Sequence, residues 1–184
     1  MLIGLLCSSS FWSSRLVRLR LGYHRVMNHL FWLIPNRLCG RCGPGQQPWD
    51  YAALRESGIG AILSVSGGLV EPAEVQAAGL DHACIEMSAN APPLEGDAEV
   101  CRAALPKALS YVEDQMGRGH AVLVHCAAGK DRTGLFLSYY LARREGLSAR
   151  AAITRLRQVR PIALSAEGWE DFALELIDAM CPGR

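Results

Sequence analysis

AVLVHCAAGKDRTG, running from Ala121 to Gly134, joins one apolar run to the start of another. Ala121-Val122-Leu123-Val124 has the length and composition of a fully buried strand. Leu135 to Arg144 is apolar enough to read as a largely buried helix. Between them a short loop opens with His125-Cys126 and closes on Arg132 at the mouth of that helix. In a strand-loop-helix turn built from small residues, successive backbone N–H groups can point inward as a nest. The helix start adds its positive end and its unpaired donors. The stretch predicts an anion cradle with a nucleophile at its base.

Each residue of the loop has a physical reason to be there. Cys126 at the base sits in a positive field, which favours the reactive thiolate over the thiol. Ala127, Ala128, Gly129, Lys130, Asp131 and Arg132 supply the phosphate-binding backbone, with Gly129 giving the permissive angle that a tight curl needs. Arg132 offers a planar fork that can hold two oxygens of a phosphate at once. Thr133 can donate its hydroxyl to the cysteine sulfur and help it leave. His125 is expected to orient the loop and polarise the site, not to act as the base. A Walker A loop is excluded, because Lys130 is followed by Asp131 and no glycine stands five positions before Gly129.

Working outward, Leu30 to Ile34 followed by Pro35-Asn36 reads as an edge strand entering a turn. Arg37 to Gly40 reads as a second short strand, and Gly43-Pro44-Gly45 as a loop. Asp50 should cap a helix over Tyr51 to Ser57 that Gly58 ends. Ile59 to Ser66 and Asp81 to Met87 read as core strands, with a helix from Glu71 to Ala78 between them. A long helix should follow, with Val100, Ala104, Ala108, Val112 and Met116 on one face and a kink or late start at Pro106. Ser148 should cap a helix that buries Ala152, Ile153, Leu156 and Val159 and that Pro161 stops. Ser165 should cap a last helix carrying Trp169, Phe172, Ala173, Leu176, Ile177 and Met180 as its apolar stripe. Strands alternating with helices, then a run of helices, predict a three-layer α/β sandwich with a central, mostly parallel sheet.

At 184 residues the chain has room for one domain with a substantial core. A formal charge of +1 gives no reason to expect nucleic-acid binding. Seven cysteines, an odd number without regular spacing, suit reduced thiols in the cytoplasm better than a disulfide scaffold. Residues 1–27 read as an N-terminal extension and 28–184 as the catalytic domain. The extension mixes Arg15, Arg18, Arg20 and Arg25 with Phe11, Trp12 and Leu16, a pattern open to a basic amphipathic helix touching a membrane surface, with a poorly packed tail as the competing reading. Met27 is an alternative start.

The pattern H-C-x-x-G-x-x-R-T-G resembles the cysteine-dependent protein tyrosine and dual-specificity phosphatases, and the order of elements from Leu30 to Ile177 is similar to theirs. Leu156-Arg157-Gln158-Val159-Arg160-Pro161 also looks like the family's stretch after the loop helix. Size and layout favour the compact dual-specificity branch, and the late position of Cys126 argues against the low-molecular-weight phosphatases. The resemblance implies a metal-independent phosphomonoester hydrolase that works through a cysteinyl-phosphate intermediate. It requires neither metal nor organic cofactor, and its partner is a phosphorylated protein or a small phosphorylated ligand. Two other functions stay open: a phosphoinositide or small-polyphosphate phosphatase, suggested by Lys130 and Asp131, and a weakly catalytic phosphate-binding module.

The family's proton donor, an Asp on the loop after the preceding strand, is missing. Ser88 and Ala89 stand where it is expected before Pro92-Pro93. Asp131 is the first substitute, with bonding of loop N–H groups as its competing role; Asp97 is the second and Glu86 the third. Asp97 should instead cap the long helix and Glu86 should face solvent. Cys39-Gly40-Arg41-Cys42 has a metal-like spacing but no second pair to complete a zinc site. Ordinary small core residues are the default for Cys39, Cys42 and Cys84, with protection of Cys126 by one of them as a disulfide the sharper reading.

Overall fold

The computed structural model describes residues 30–68 and 70–182. The N-terminal extension, with the two readings offered for it, and the alternative start at Met27 lie outside them. Five strands form one sheet: β1 (Phe31–Ile34), β2 (Leu38–Cys42), β3 (Ile59–Ser64), β4 (Asp81–Cys84) and β5 (Ala121–Cys126). Their order is β1-β2-β5-β3-β4, with β1 antiparallel to β2 and every other pairing parallel. β5, the strand that opens the loop, is central and buried throughout. In α/β sheets the chemistry sits at the carboxyl ends of the strands, and Cys126 is the last residue of β5.

Helices cover both faces, as the expected three-layer sandwich requires. α1 (Tyr51–Glu56) and α2 (Pro72–Ala77) pack on one face, where Leu54 and Val75 meet Cys39, Ile59, Ile62 and Leu123. The other face carries α3 (Asp97–Gly117), α4 (Asp131–Glu145), α5 (Ala149–Val159) and α6 (Trp169–Met180). There Leu38, Ala61, Leu63, Val122 and Val124 meet Leu105, Phe136, Leu141, Leu156 and Ile177. The alternation along β5 therefore decides which side chains face which layer. Val122, Val124 and Cys126 face the four long helices, while Ala121 and Leu123 face the two short ones. No helix among the described residues is long and apolar enough to cross a membrane.

Several boundaries follow the expected caps. Asp50 accepts from the Ala53 N–H at 2.9 Å and Ser148 from the Ala151 N–H at 3.3 Å. Gly58, Gly79 and Gly146 follow their helices with positive φ. Other expectations need correction. Val100 is 50% exposed, and the buried stripe of α3 is Cys101, Ala104, Leu105, Ala108, Val112 and Met116. A four-residue step overshoots a helical turn by about 40°, so the four steps from Val100 to Met116 drift by about 160° and cannot all keep to one face. α3 starts at Asp97 and runs through Pro106 without interruption. Pro106 and Arg102 are both exposed, so the carbonyl that the proline leaves unbonded faces water. Val159 is 39% exposed. Ser165 does not cap α6; Gly168 does, with φ 75°. β4 stops at Cys84, yet the bonds from Ile85 N–H to Ser64 O and Met87 N–H to Val65 O hold the next residues along β3.

Candidate active site

The loop after β5 is held from outside by its carbonyls. Ala127 O accepts from Gly43 N–H at 2.9 Å, Ala128 O from Arg160 Nη2 at 3.0 Å and Gly129 O from Arg160 Nε at 3.1 Å. Lys130 O accepts from the N–H groups of Gly134 at 3.0 Å and Leu164 at 3.4 Å. In a planar trans peptide the N–H points opposite to the carbonyl. Four successive carbonyls tied outward therefore turn the N–H groups of Ala128, Gly129, Lys130 and Asp131 inward. This is a nest, and the N-terminus of α4 closes it. Cys126, 2% exposed, lies at its base.

Two tertiary contacts, one at Arg160 and one at Gly129, build this geometry. Arg160 stacks on the Phe31 ring, 5.1 Å from its centroid, and spends its fork on the loop carbonyls. Gly129 has φ 59°, and a Cβ there would lie 2.4 Å from Arg41 O and 2.7 Å from Cys42 N. The end of β2 thus forms the back wall of the cradle. The only sequence signal for Arg160 was its place in the stretch ending at Pro161.

The predicted site residues separate into groups. Arg132 is half-buried and pairs with no carboxylate among the described residues, so its fork is free for an anion. Its charge is felt by Cys101 and His125. Thr133 is fully buried, and its hydroxyl has no hydrogen-bond partner among the described residues. Asp131 has both oxygens engaged: Oδ1 accepts from Ala166 N–H at 3.1 Å, and Oδ2 lies 3.5 Å from Lys130 Nζ. Lys130 is accordingly paired within the loop and does not stand free at the rim. Asp97 is 7% exposed and sits in the first turn of α3, one residue after the cap position held by Gly96. It accepts from Leu94 N–H at 2.7 Å and from Asn90 Nδ2 at 3.0 and 3.1 Å. The Leu94 bond, helped by Ser88 and Asn90, holds its carboxyl below the usual range. Glu86 is exposed, with its carboxylate against Gly67.

The cysteines among the described residues are free thiols. Burial pushes Cys39 far up, and its thiol donates to Val122 O at 3.6 Å, so it is a core residue. β3 separates Cys84 from Cys126, whereas Cys42 lies in register beside Cys126 on the neighbouring strand.

His125 faces the opposite layer from Cys126. Its Nε2 is 2.7 Å from Ser64 Oγ, which is also 2.9 Å from His82 Nε2, and Trp49 packs edge-on at 4.6 Å. Burial pushes the His125 pKa down to about 4; the Cys126 backbone opposes the shift, and the charges of His82 and Arg132 add to it. The ring is neutral at pH 7 and ties the end of β5 to Ser64 on β3. Because its folded pKa lies below the ordinary 6.5, the unfolded chain binds more protons between the two values. Stability contributed by neutral His125 is present above pH 6.5 and is lost as pH falls toward 4. About 2 kcal/mol should be gone by pH 5. Urea unfolding at pH 7 and pH 5 measures it: His125→Gln should lose less stability over that interval than wild type by about this amount. Equal losses would remove His125 as the source.

Residues 49–173 match the family described as dual specificity phosphatase, catalytic domain. The chain belongs to that family. Dual specificity protein phosphatase 12 of Rattus norvegicus is 32% identical over 131 residues, covering 71% of this chain and 36% of that protein. Tyrosine-protein phosphatase cdc-14 of Caenorhabditis elegans is 27% identical over 154 residues, covering 76% of this chain and 20% of that protein. The chain therefore spans between a fifth and little more than a third of the length of these relatives. Among solved structures, Tk-PTP in its active form superposes with a TM-score of 0.65 at 20% identity, covering 82% of this chain and 97% of that one. Human DUSP28 gives 0.63 at 22% identity, covering 82% and 94%. At such identities the likeness establishes the fold.

Proposed function

We propose that this chain hydrolyses phosphomonoesters on proteins through a cysteinyl-phosphate intermediate and without a metal ion. The observation that carries the reading is the set of four carbonyls tied outward above Cys126, which presents four N–H donors where a phosphoryl group would rest. In this reading the Cys126 sulfur attacks phosphorus as the thiolate, the S–P bond forms and the ester P–O bond breaks. The inward N–H groups and the Arg132 fork hold the three equatorial oxygens as charge shifts among them. Water then attacks phosphorus, the P–S bond breaks and inorganic phosphate leaves. The Thr133 hydroxyl, buried and unpartnered, is the donor available to the departing sulfur. The catalytic unit in this reading is 28–184, acting on phosphorylated proteins in the cytoplasm, where thiols stay reduced.

The test is to trap the intermediate. Enzyme mixed with a radiolabelled aryl phosphate and quenched in acid within the first turnover should carry one label, and peptide mapping should place it on Cys126. Steady turnover with no label on Cys126 would overturn the proposal.

A further inference from the structure

The leaving oxygen of a phosphate ester must acquire a proton unless it is stable as an anion. The phenol of tyrosine ionises at about 10, whereas an aliphatic hydroxyl lies near water at about 15.7. Which side chain could protonate a poor leaving group therefore decides what the site can cleave.

Two of the three carboxylates that the sequence offers are occupied elsewhere, and the third, Glu86, is exposed beside Gly67 with β3 between its strand and Cys126. Both oxygens of Asp97 are taken by Asn90 Nδ2, and Oδ2 also by Leu94 N–H. Asp131 is spent on Ala166 N–H, 35 residues away, and on Lys130. Glu86 lies so close to the Gly67 backbone that a Cβ there would sit 2.0 Å from its Oε1. The loop between β4 and α3 is also fixed. Trp169 Nε1 donates to Asn90 O at 2.9 Å, Asn90 is tied to Asp97, and Pro92 and Pro93 pack on Gly168. From Met87 to Leu94 this loop contains no acidic side chain, and its staples oppose a swing that would bring one in.

Resting on the Cys126 reading, we propose that this chain cleaves phosphate esters without a side-chain general acid, so that its substrates are aryl phosphates, phosphotyrosine among protein residues, and not phosphoserine, phosphothreonine or inositol phosphates. The balance is complete without an acid. As Sγ bonds to phosphorus the aryloxide leaves with its electron pair and takes a proton from water. In the second step water gives its oxygen to phosphorus and its proton to the bulk, and the sulfur returns to its starting form.

The measurement is kcat/KM across substituted phenyl phosphates of rising phenol pKa, extended to a matched pair of phosphotyrosine and phosphothreonine peptides, for wild type, Asp97→Asn and Asp131→Asn. Wild type alone decides the main point. Its rate should fall steadily as the leaving group worsens, with the phosphothreonine peptide slower than the phosphotyrosine peptide by at least about 10²-fold, the smaller end of what a general acid contributes. The two variants should follow the same slope. A flat wild-type series overturns the proposal, and a variant that selectively loses the poor leaving groups names the acid that was overlooked. No turnover of even the most activated ester, with no label trapped on Cys126, would overturn the parent reading as well.

Discussion

Cys126→Ser is expected to lose turnover by on the order of 10⁴–10⁶-fold, the scale on which removal of a covalent nucleophile acts, while still binding orthovanadate. The reason lies in where the neighbouring base points. A serine hydroxyl needs a partner to take its proton, since an alcohol ionises near 15.7 in contrast to about 8.5 for a free thiol. His125, adjacent in sequence, is on the other face of β5 with Nε2 engaged by Ser64. No triad can therefore assemble around a serine at position 126. The cradle itself is built from backbone carbonyls held by Gly43, Arg160, Gly134 and Leu164, none of which involves the sulfur. Anion affinity should survive the substitution. Steady-state assays with p-nitrophenyl phosphate and calorimetric titration with vanadate separate the two properties. Residual activity within tenfold of wild type would mean that another group attacks phosphorus.

The contrast between Cys126 and Asp131 shows what could be read from the chain alone. Cys126, Gly129 and Arg132 owe their roles to a local strand-loop-helix turn, and local spacing is visible in sequence. Asp131 has the same local setting, but its partner is the Ala166 N–H in a turn that only the packing of α5 and α6 brings near. Arg160 is the same case from the other side, since its two carbonyl bonds span 31 and 32 residues. The bridge from His82 through Ser64 to His125 needs the register of three strands before any of them looks special. Boundaries failed where two local signals competed. Ser165 looked like a cap, but Gly168 reaches a left-handed conformation that sets the start of α6 three residues later. The fold class survived such errors because it depends on the alternation of buried strands and amphipathic helices, which a shifted cap does not alter.

Gly129→Ala should lower kcat/KM by about 10²–10³-fold, comparable to losing one preorganised oxyanion donor. Two costs add at this position. A non-glycine residue at φ 59° is disfavoured, by about 1–3 kcal/mol where the surroundings enforce it. The new methyl would also meet Arg41 O at 2.4 Å, Arg41 C at 2.5 Å and Cys42 N at 2.7 Å. These are backbone atoms of β2, which pairs in register with β5 from Leu38 to Cys42, so the wall cannot retreat without breaking the sheet. The loop must move instead. Moving Gly129 pulls its carbonyl and that of Ala128 off Arg160, and the N–H groups of Gly129 and Lys130 then leave the nest. Binding and chemistry should fail together, with vanadate affinity falling alongside kcat/KM, unlike Cys126→Ser, which separates them. Circular dichroism and thermal unfolding will show a folded protein of reduced stability, because the sheet and both cores are untouched by a loop displacement. Wild-type kinetics in a folded Gly129→Ala would mean that the cradle does not depend on the outward-tied carbonyls, and the account of the site would have to be rebuilt around Arg132 alone.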